Sequence, residues 1–413
     1  MRILMLTQYF PPEVGAPQNR LFELAVRLQK QGVEVVVLTA MPNYPRMIIH
    51  PEYQGKKYHF EKIEGIDVHR SSIYVSTDRS IIKRLLNYFS FVYTSWRCGR
   101  KINGNFDFVF CESPPLFLGI SAVLLAKRFK ARLIFNVSDL WPESAEKLGL
   151  VTNKVLLRVS TWLEEYLYRS SALITGQTQG IVKNIRDRFP NKKVYWLPNG
   201  VDLSYYDPAN YSREWRIAAG FNQDDFLLLY AGIIGHAQGL EILLKAAKLL
   251  EDVPSCKFIL LGDGPEKARL IELSEELGLK NMIFLDPVPK SVMPKVVAAA
   301  DVAVIPLRRL ELFKGAIPSK IFESLAMQKP VLLGVEGEAK ELFIDDGKCG
   351  LSFTPDNHEE LAAAVRKLIS NPVMLTELGE NGRKYAARMF DRNKIASNFL
   401  EFLEQNSSTA KSE

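Results

Sequence analysis

The feature that most limits the fold is a compact alternation at the N-terminus. Ile3–Leu6 is a short apolar run, read as a buried strand. Tyr9-Phe-Pro-Pro-Glu-Val-Gly15-Ala-Pro-Gln-Asn-Arg20 is a loop feeding an amphipathic helix to about Gln31, which Gly32 ends. Val33–Leu38, β-branched or apolar except for Glu34, reads as the next strand. Strand, glycine-bearing loop, helix and strand make a βαβ unit, and such a crossover requires the two strands to be parallel. Further strands are expected at Asp107–Phe110, Arg132–Phe135, Ala172–Thr175 and Val194–Leu197, alternating with helical patterns. A doubly wound sheet of this kind binds ligands beyond the C-terminal ends of its strands.

The alternation then restarts. Pro198-Asn-Gly-Val-Asp202 is turn chemistry and marks a domain junction. Phe226–Tyr230 is a strand, followed by the loop Ala231-Gly-Ile-Ile-Gly-His-Ala-Gln-Gly239 and a helix to about Glu251. Lys257–Leu261 is a strand, Gly262-Asp-Gly-Pro265 opens another helix, and Ile283–Leu285, Ala303–Ile305 and Val331–Leu333 continue the sheet. The 413 residues exceed what one core usually supports. The expected architecture is α/β: two Rossmann-like, doubly wound parallel-sheet domains, 1–199 and 200–375, facing a central cleft. A helical extension, 376–413, is expected to pack back on the first domain, with helix to Phe402 and a frayed polar tail.

A net charge of +6 permits an anionic ligand or membrane surface without a nucleic-acid signature. Cys98, Cys111, Cys256 and Cys349 form no Cys-x-x-Cys pair, and the five histidines have no metal-ligand spacing. No Asp-x-Asp is present to hold a divalent metal on a diphosphate. No uncharged apolar run reaches the roughly 18–20 residues of a membrane span. The N-terminus enters a strand pattern rather than a signal peptide, and a cytoplasmic protein is expected.

The candidate ligand residues follow the strands. Pro318-Ser-Lys-Ile-Phe-Glu-Ser324 opens a helix, with Ser319 as its plausible cap and Lys320 and Glu323 sharing a face. Free backbone donors, a lysine and a carboxylate suit a sugar nucleotide, with phosphates on the donors and ribose hydroxyls on Glu323. A capped helix with a surface ion pair would carry the same residues. Gly15 allows backbone approach, and Arg20 lies one turn into its helix; a tight turn and a solvated cation are the alternatives. Gly232, Gly235 and Gly239 crowd the equivalent loop of the second half, with His236 and Gln238 as its polar side chains. Gly262, Asp263 and Gly264 are turn chemistry placed where a ligand would pass. Asn136-Val-Ser-Asp-Leu-Trp-Pro-Glu143 sets Asp139 and Glu143 behind a strand, able to position or deprotonate an acceptor hydroxyl, or to cap a helix. Ser80–Ile102 has basic ends around an aromatic, apolar centre, which suits either an interfacial helix or a core helix; Lys127-Arg-Phe-Lys130 adds a second basic patch.

Tyr9-Phe-Pro-Pro-Glu-Val-Gly-Ala, Thr39-Ala-Met-Pro-Asn-Tyr-Pro45, Asp139-Leu-Trp-Pro-Glu-Ser144, Pro198-Asn-Gly-Val-Asp202, Gly262-Asp-Gly-Pro265 and Pro318-Ser-Lys-Ile-Phe-Glu-Ser-Leu-Ala occur in order. Through them the sequence resembles glycosyltransferase family 4, retaining enzymes of the GT-B fold. Within it the chain looks like the bacterial lipopolysaccharide and capsule subgroup that includes L-fucosamine (FucNAc) transferases. The resemblance implies transfer of a hexosyl or N-acetylhexosaminyl group from a nucleoside-diphosphate donor, with UDP-sugar expected, and no cofactor or metal. It implies a polyprenyl-diphosphate-linked or other glycan acceptor, in capsule or O-antigen synthesis, at the inner face of the plasma membrane. Glu323 matches the second glutamate of the family's Glu-x7-Glu motif; the first falls on Gly315, which is not acidic. Where the family commonly has Lys-Gly, this chain has Gln238-Gly239, and Lys320 is expected to supply the charge instead. Asp139 falls near the family's usual histidine, and Asp139, Glu143 and Lys320 are the implied catalytic groups. A non-hydrolysing UDP-sugar 2-epimerase, and a non-catalytic nucleotide-sugar-binding subunit suggested by Gly315, are the alternative readings.

Overall fold

A computed structural model describes residues 1–407 except 14, 79, 148 and 150. The chain divides into two compact units: 1–199 joined by the residues from Asn393 onward, and Gly200–Arg392.

The first unit is built on eight strands: β1 (Arg2–Leu6), β2 (Glu34–Ala40), β3 (Tyr58–Ile63), β4 (Ile66–Ser71), β5 (Phe108–Ser113), β6 (Arg132–Val137), β7 (Leu173–Gly176) and β8 (Val194–Trp196). Their order is β3-β4-β2-β1-β5-β6-β7-β8, and every neighbouring pair is parallel except the β3–β4 hairpin. The central strands are apolar throughout because helices cover both faces. Leu4, Leu6, Val36, Leu38, Val109 and Phe135 point to one core. The alternating residues Ile3, Met5, Val35, Val37, Phe108 and Ile134 point to the other. Helices 81–99, 118–129 and 154–170 close the first face; helix Ala16–Lys30 and the C-terminal helix, through Phe399 and Leu403, close the second.

The second unit has six parallel strands: β9 (Phe226–Ala231), β10 (Cys256–Leu261), β11 (Met282–Leu285), β12 (Val302–Pro306), β13 (Val331–Gly334) and β14 (Gly350–Ser352). The order β11-β10-β9-β12-β13-β14 is the Rossmann order, reversing between β9 and β12. A buried charge pair anchors this reversal. Arg216 donates to Asp301, which also accepts the Leu227 N–H at 2.8 Å, and to the Ala299 carbonyl at 2.6 Å.

The C-terminal helices depart from expectation. Helix Pro372–Met389 packs on helix Lys320–Ala326 inside the second unit, and only residues from Asn393 join the first. The reason is steric fit: Gly379 and Gly382 let this helix approach Gln328 and Leu325 closely. The last helix extends to Ser407, beyond the expected Phe402, and the rest of the expected frayed tail lies outside the described residues. The β3–β4 hairpin and β14 were not expected from the sequence pattern.

Candidate active site

In the second unit, loops leave β9, β10 and β12 next to the strand-order reversal. The loops after β9 and β10 are joined backbone to backbone. Gly232 N–H donates to Leu261 O, Ile234 N–H to Asp263 O and Glu266 N–H to Ile234 O, at 2.9, 2.9 and 3.0 Å. This closeness is what the glycines permit. A Cβ on Gly262 would lie 1.9 Å from the Gly232 carbonyl oxygen, and one on Gly264 would lie 2.3 Å from that of Ile234. Both also hold φ values, +152° and +157°, that side chains disfavour. Asp263 is exposed and turns its carboxylate back to the Gly264 N–H at 2.8 Å.

Lys320 meets these loops from the helix Lys320–Ala326. Its ammonium lies 3.7 Å from the Tyr230 ring centroid and 2.9 Å from where a Cβ of Gly232 would stand. Part of the lysine reaches solvent, but burial of the ammonium pushes its pKa down to about 7, against the pull of the Glu323 carboxylate. Glu323 lies one turn on. Burial raises its pKa, opposed by Arg392, Lys290 and Lys320 and by a hydrogen bond from Tyr206. Lys320 and Glu323 therefore form no exposed surface pair; each is a partly buried charge held near the other.

Ser319 does not cap this helix. It sits at the N-cap with helical φ and ψ, and its side chain makes no capping bond. A cap needs extended backbone at that residue to aim its oxygen at the following N–H groups. Ser324 is buried and donates its hydroxyl to Lys320 O at 2.9 Å. Gly235 precedes the short 3-10 turn His236–Gln238, which ends at Gly239 in the left-handed region. His236 is exposed, with Nε2 3.2 Å from Glu266 Oε1, and Arg308 donates to its carbonyl at 2.7 Å. Gln238 is half-buried, its Oε1 3.0 Å from where a Cβ of Gly235 would stand. A Cβ on Gly315 would project into open space, so a glutamate there would meet no steric bar.

In the first unit, Arg20 is not a solvated cation. Its buried guanidinium donates to Glu112 Oε1 and Ser138 Oγ, each at 2.7 Å, while Nη1 has no partner among the described residues. Asn136 donates to the same glutamate and accepts from Thr175 at 2.6 Å, so the ends of β5, β6 and β7 share one polar network. The helix places Arg20 inward because its face carries Leu21 and Leu24 into the core. Gly15 is the N-cap of that helix in extended backbone, and Gln18 folds against it. Glu13 accepts the N–H groups of Asn43 and Tyr44 at 2.8 Å and of Phe10 at 3.1 Å, tying the loop after β1 to the loop after β2. Asp139 is exposed just beyond β6 and accepts the Ser144 hydroxyl at 2.8 Å. Glu143 pairs with Lys147 at 2.7 Å on the exposed side of a one-turn helix.

The sequence pattern did not point to a cavity of about 540 Å³ in this unit, lined by Tyr9, Tyr44, Arg46, Lys83, Arg84 and Tyr88. Two loops and one helix bring these residues together, so no spacing in the chain announces them. Tyr206, Tyr230 and Glu112 were missed for the same reason. Among the described residues no cluster of histidine, cysteine or carboxylates suits a metal ion.

Residues 15–200 match the glycosyl transferase 4-like domain, and residues 212–385 match the glycosyl transferases group 1 family. WcaI of Escherichia coli (strain K12), named as a colanic acid biosynthesis glycosyl transferase, is 26% identical over 423 residues, covering 97% of this chain and 99% of its own. The N-acetylgalactosamine-N,N'-diacetylbacillosaminyl-diphospho-undecaprenol 4-alpha-N-acetylgalactosaminyltransferase of Campylobacter jejuni is 25% identical, covering 90% of this chain and 96% of its own. Among solved structures, Anabaena HepE in complex with UDP-glucose superposes with a TM-score of 0.70 at 18% identity, covering 98% of this chain and 100% of that one.

Proposed function

We propose that this chain, whose residues 15–200 match the glycosyl transferase 4-like domain and 212–385 the glycosyl transferases group 1 family on a GT-B fold, is a retaining transferase using a UDP-sugar. The acceptor is a polyprenyl-diphosphate-linked or other glycan of bacterial surface polysaccharide synthesis, met by a protein peripheral to the membrane. WcaI and the Campylobacter enzyme, whose name specifies a diphospho-undecaprenol-linked acceptor, support that substrate class.

The observation that carries the reading is Lys320 and Glu323 beside the loop at Gly232. In this reading the Lys320 ammonium and the backbone N–H of Gly235 receive the diphosphate, and Glu323 receives the ribose hydroxyls. The bond from the anomeric carbon to the diphosphate oxygen breaks, and Lys320 stabilises the charge that collects on the leaving group. The acceptor oxygen bonds to the same face of that carbon and passes its proton to the departing diphosphate oxygen. Asp139 orients the acceptor hydroxyl, and the cavity walled by Arg46, Lys83 and Arg84 holds the anionic part of the acceptor. Arg20 acts indirectly, by holding Glu112 and Ser138 behind Asp139.

Calorimetry of UDP binding to Glu323→Ala tests this directly. Losing the hydrogen bonds to a charged acceptor should weaken binding about 10- to 100-fold. Parent-like affinity would remove the ribose assignment. Conversion of UDP-sugar to its 2-epimer without acceptor would favour the epimerase reading.

A further inference from the structure

Helix 81–99 leaves Ile82, Leu86, Phe89 and Tyr93 exposed, spaced four, three and four apart, so they form one stripe. Helix 154–170 repeats the spacing with Val155, Val159, Trp162 and Tyr166. Exposure is high along each stripe: 70% for Ile82, 72% for Val155 and 63% for Trp162. Helix 118–129 lies between the two and packs on both. Ser95 donates to Ser121 at 3.0 Å, and Gly119 sits against Leu167. The three helices therefore present one face of the first unit, with Leu124, 42% exposed, in its middle.

The charges on these helices are mostly positive. The three helices contain eight lysines and arginines (83, 84, 97, 127, 128, 154, 158, 169) and two acidic residues, Glu164 and Glu165. Both acids are already paired, with Arg188 at 2.6 Å and Arg169 at 2.8 Å. No described helix is long and apolar enough to cross a membrane. Apolar stripes rimmed by an excess of cations fit an anionic bilayer surface: the side chains enter the acyl boundary and the cations meet lipid phosphates.

We infer that this three-helix face docks the protein on anionic lipid, with Trp162 and Phe89 as its inserted anchors. The inference deepens the peripheral placement proposed above and rests on it. Lys83 and Arg84 belong both to this rim and to the wall of the 540 Å³ cavity, so an acceptor diphosphate at the lipid surface would enter beside them.

Flotation of the full chain with vesicles tests this. The parent should float with phosphatidylglycerol–phosphatidylethanolamine vesicles, stay behind with phosphatidylcholine, and release as salt rises. The pairs Val159→Ser with Trp162→Ser, and Lys154→Glu with Arg158→Glu, should each lower partitioning about tenfold or more. Unchanged melting temperature and UDP affinity would show that both variants are folded, and Ile217→Ser, exposed on the second unit, should float like the parent. A parent that floats while both pairs float equally well overturns this face but leaves peripheral placement standing. A parent that never floats, yet transfers sugar to a water-soluble acceptor, overturns the docking and spares the transferase reading. A parent that is a dimer dissolved by Trp162→Ser, without lipid binding, assigns the face to self-association and overturns the proposal.

Discussion

Lys320 is a cation placed where charge is costly until an anion arrives. Folding moves its pKa from 10.5 to about 7. Between those values the unfolded chain binds the extra proton, so this residue makes stability rise with pH from about 7 to 10.5, and its full cost stands below 7. Ligand binding follows the opposite sense. A diphosphate favours the ammonium, so UDP affinity should fall as pH rises above 7, by up to about tenfold per unit. Lys320→Met should bind UDP weakly at every pH, lose the part of the pH dependence that lysine supplies, and melt higher than the parent at pH 7 without ligand. Calorimetry and melting curves from about pH 6 to about pH 9 check both. The pairing of Lys320 with Glu323 was legible because residues three apart share a helix face. Their burial was not, since Tyr230 and Tyr206 come from segments far away in sequence. Arg20 failed for a related reason: its helix position was plain, but Glu112 and Ser138 lie 92 and 118 residues on, at strand ends only the folded sheet brings near.

At the scale of elements, the glycines of the second unit serve packing between loops. Gly262 stands against the Gly232 carbonyl at a distance no side chain allows, and the Gly232 loop is the one that Lys320 faces. Gly262→Ala should push these loops apart and destabilise the second unit by about 1–3 kcal/mol, the usual range for overpacking and backbone strain. It should also weaken UDP binding, read by thermal melting with and without nucleotide. Alternating strands and helices were legible here because buried parallel strands are short unbroken apolar runs. The β3–β4 hairpin was not, although Glu64 and Gly65 both take positive φ, +49° and +81°, as a two-residue hairpin turn requires. Its first strand alternates exposed and half-buried residues at a sheet edge, so no apolar run marks it. Likewise Arg70, Glu61 and Tyr53 form a polar cluster there that hydrophobic patterning cannot register.

At the scale of the molecule, the two units differ in how the chain supplies them. The second is one continuous stretch, 200–392, whereas the first needs its last helix from beyond that stretch. Phe399 and Leu403 are fully buried against Ile3, Phe110 and Leu197. A chain ending at residue 392 should therefore lose protease resistance in 1–199 while the second unit still binds UDP. Limited proteolysis with calorimetry on the truncated protein reads the two separately. The sequence placed the junction near residue 200 but put the return at 376, because Pro372–Met389 and Arg392–Ser407 are both amphipathic and nothing local tells which core each joins. The late return also fixes a schedule. On the ribosome, the segment begun first waits for the final helix before its core can close, whereas the segment begun second can finish while the C-terminus is still in the exit tunnel.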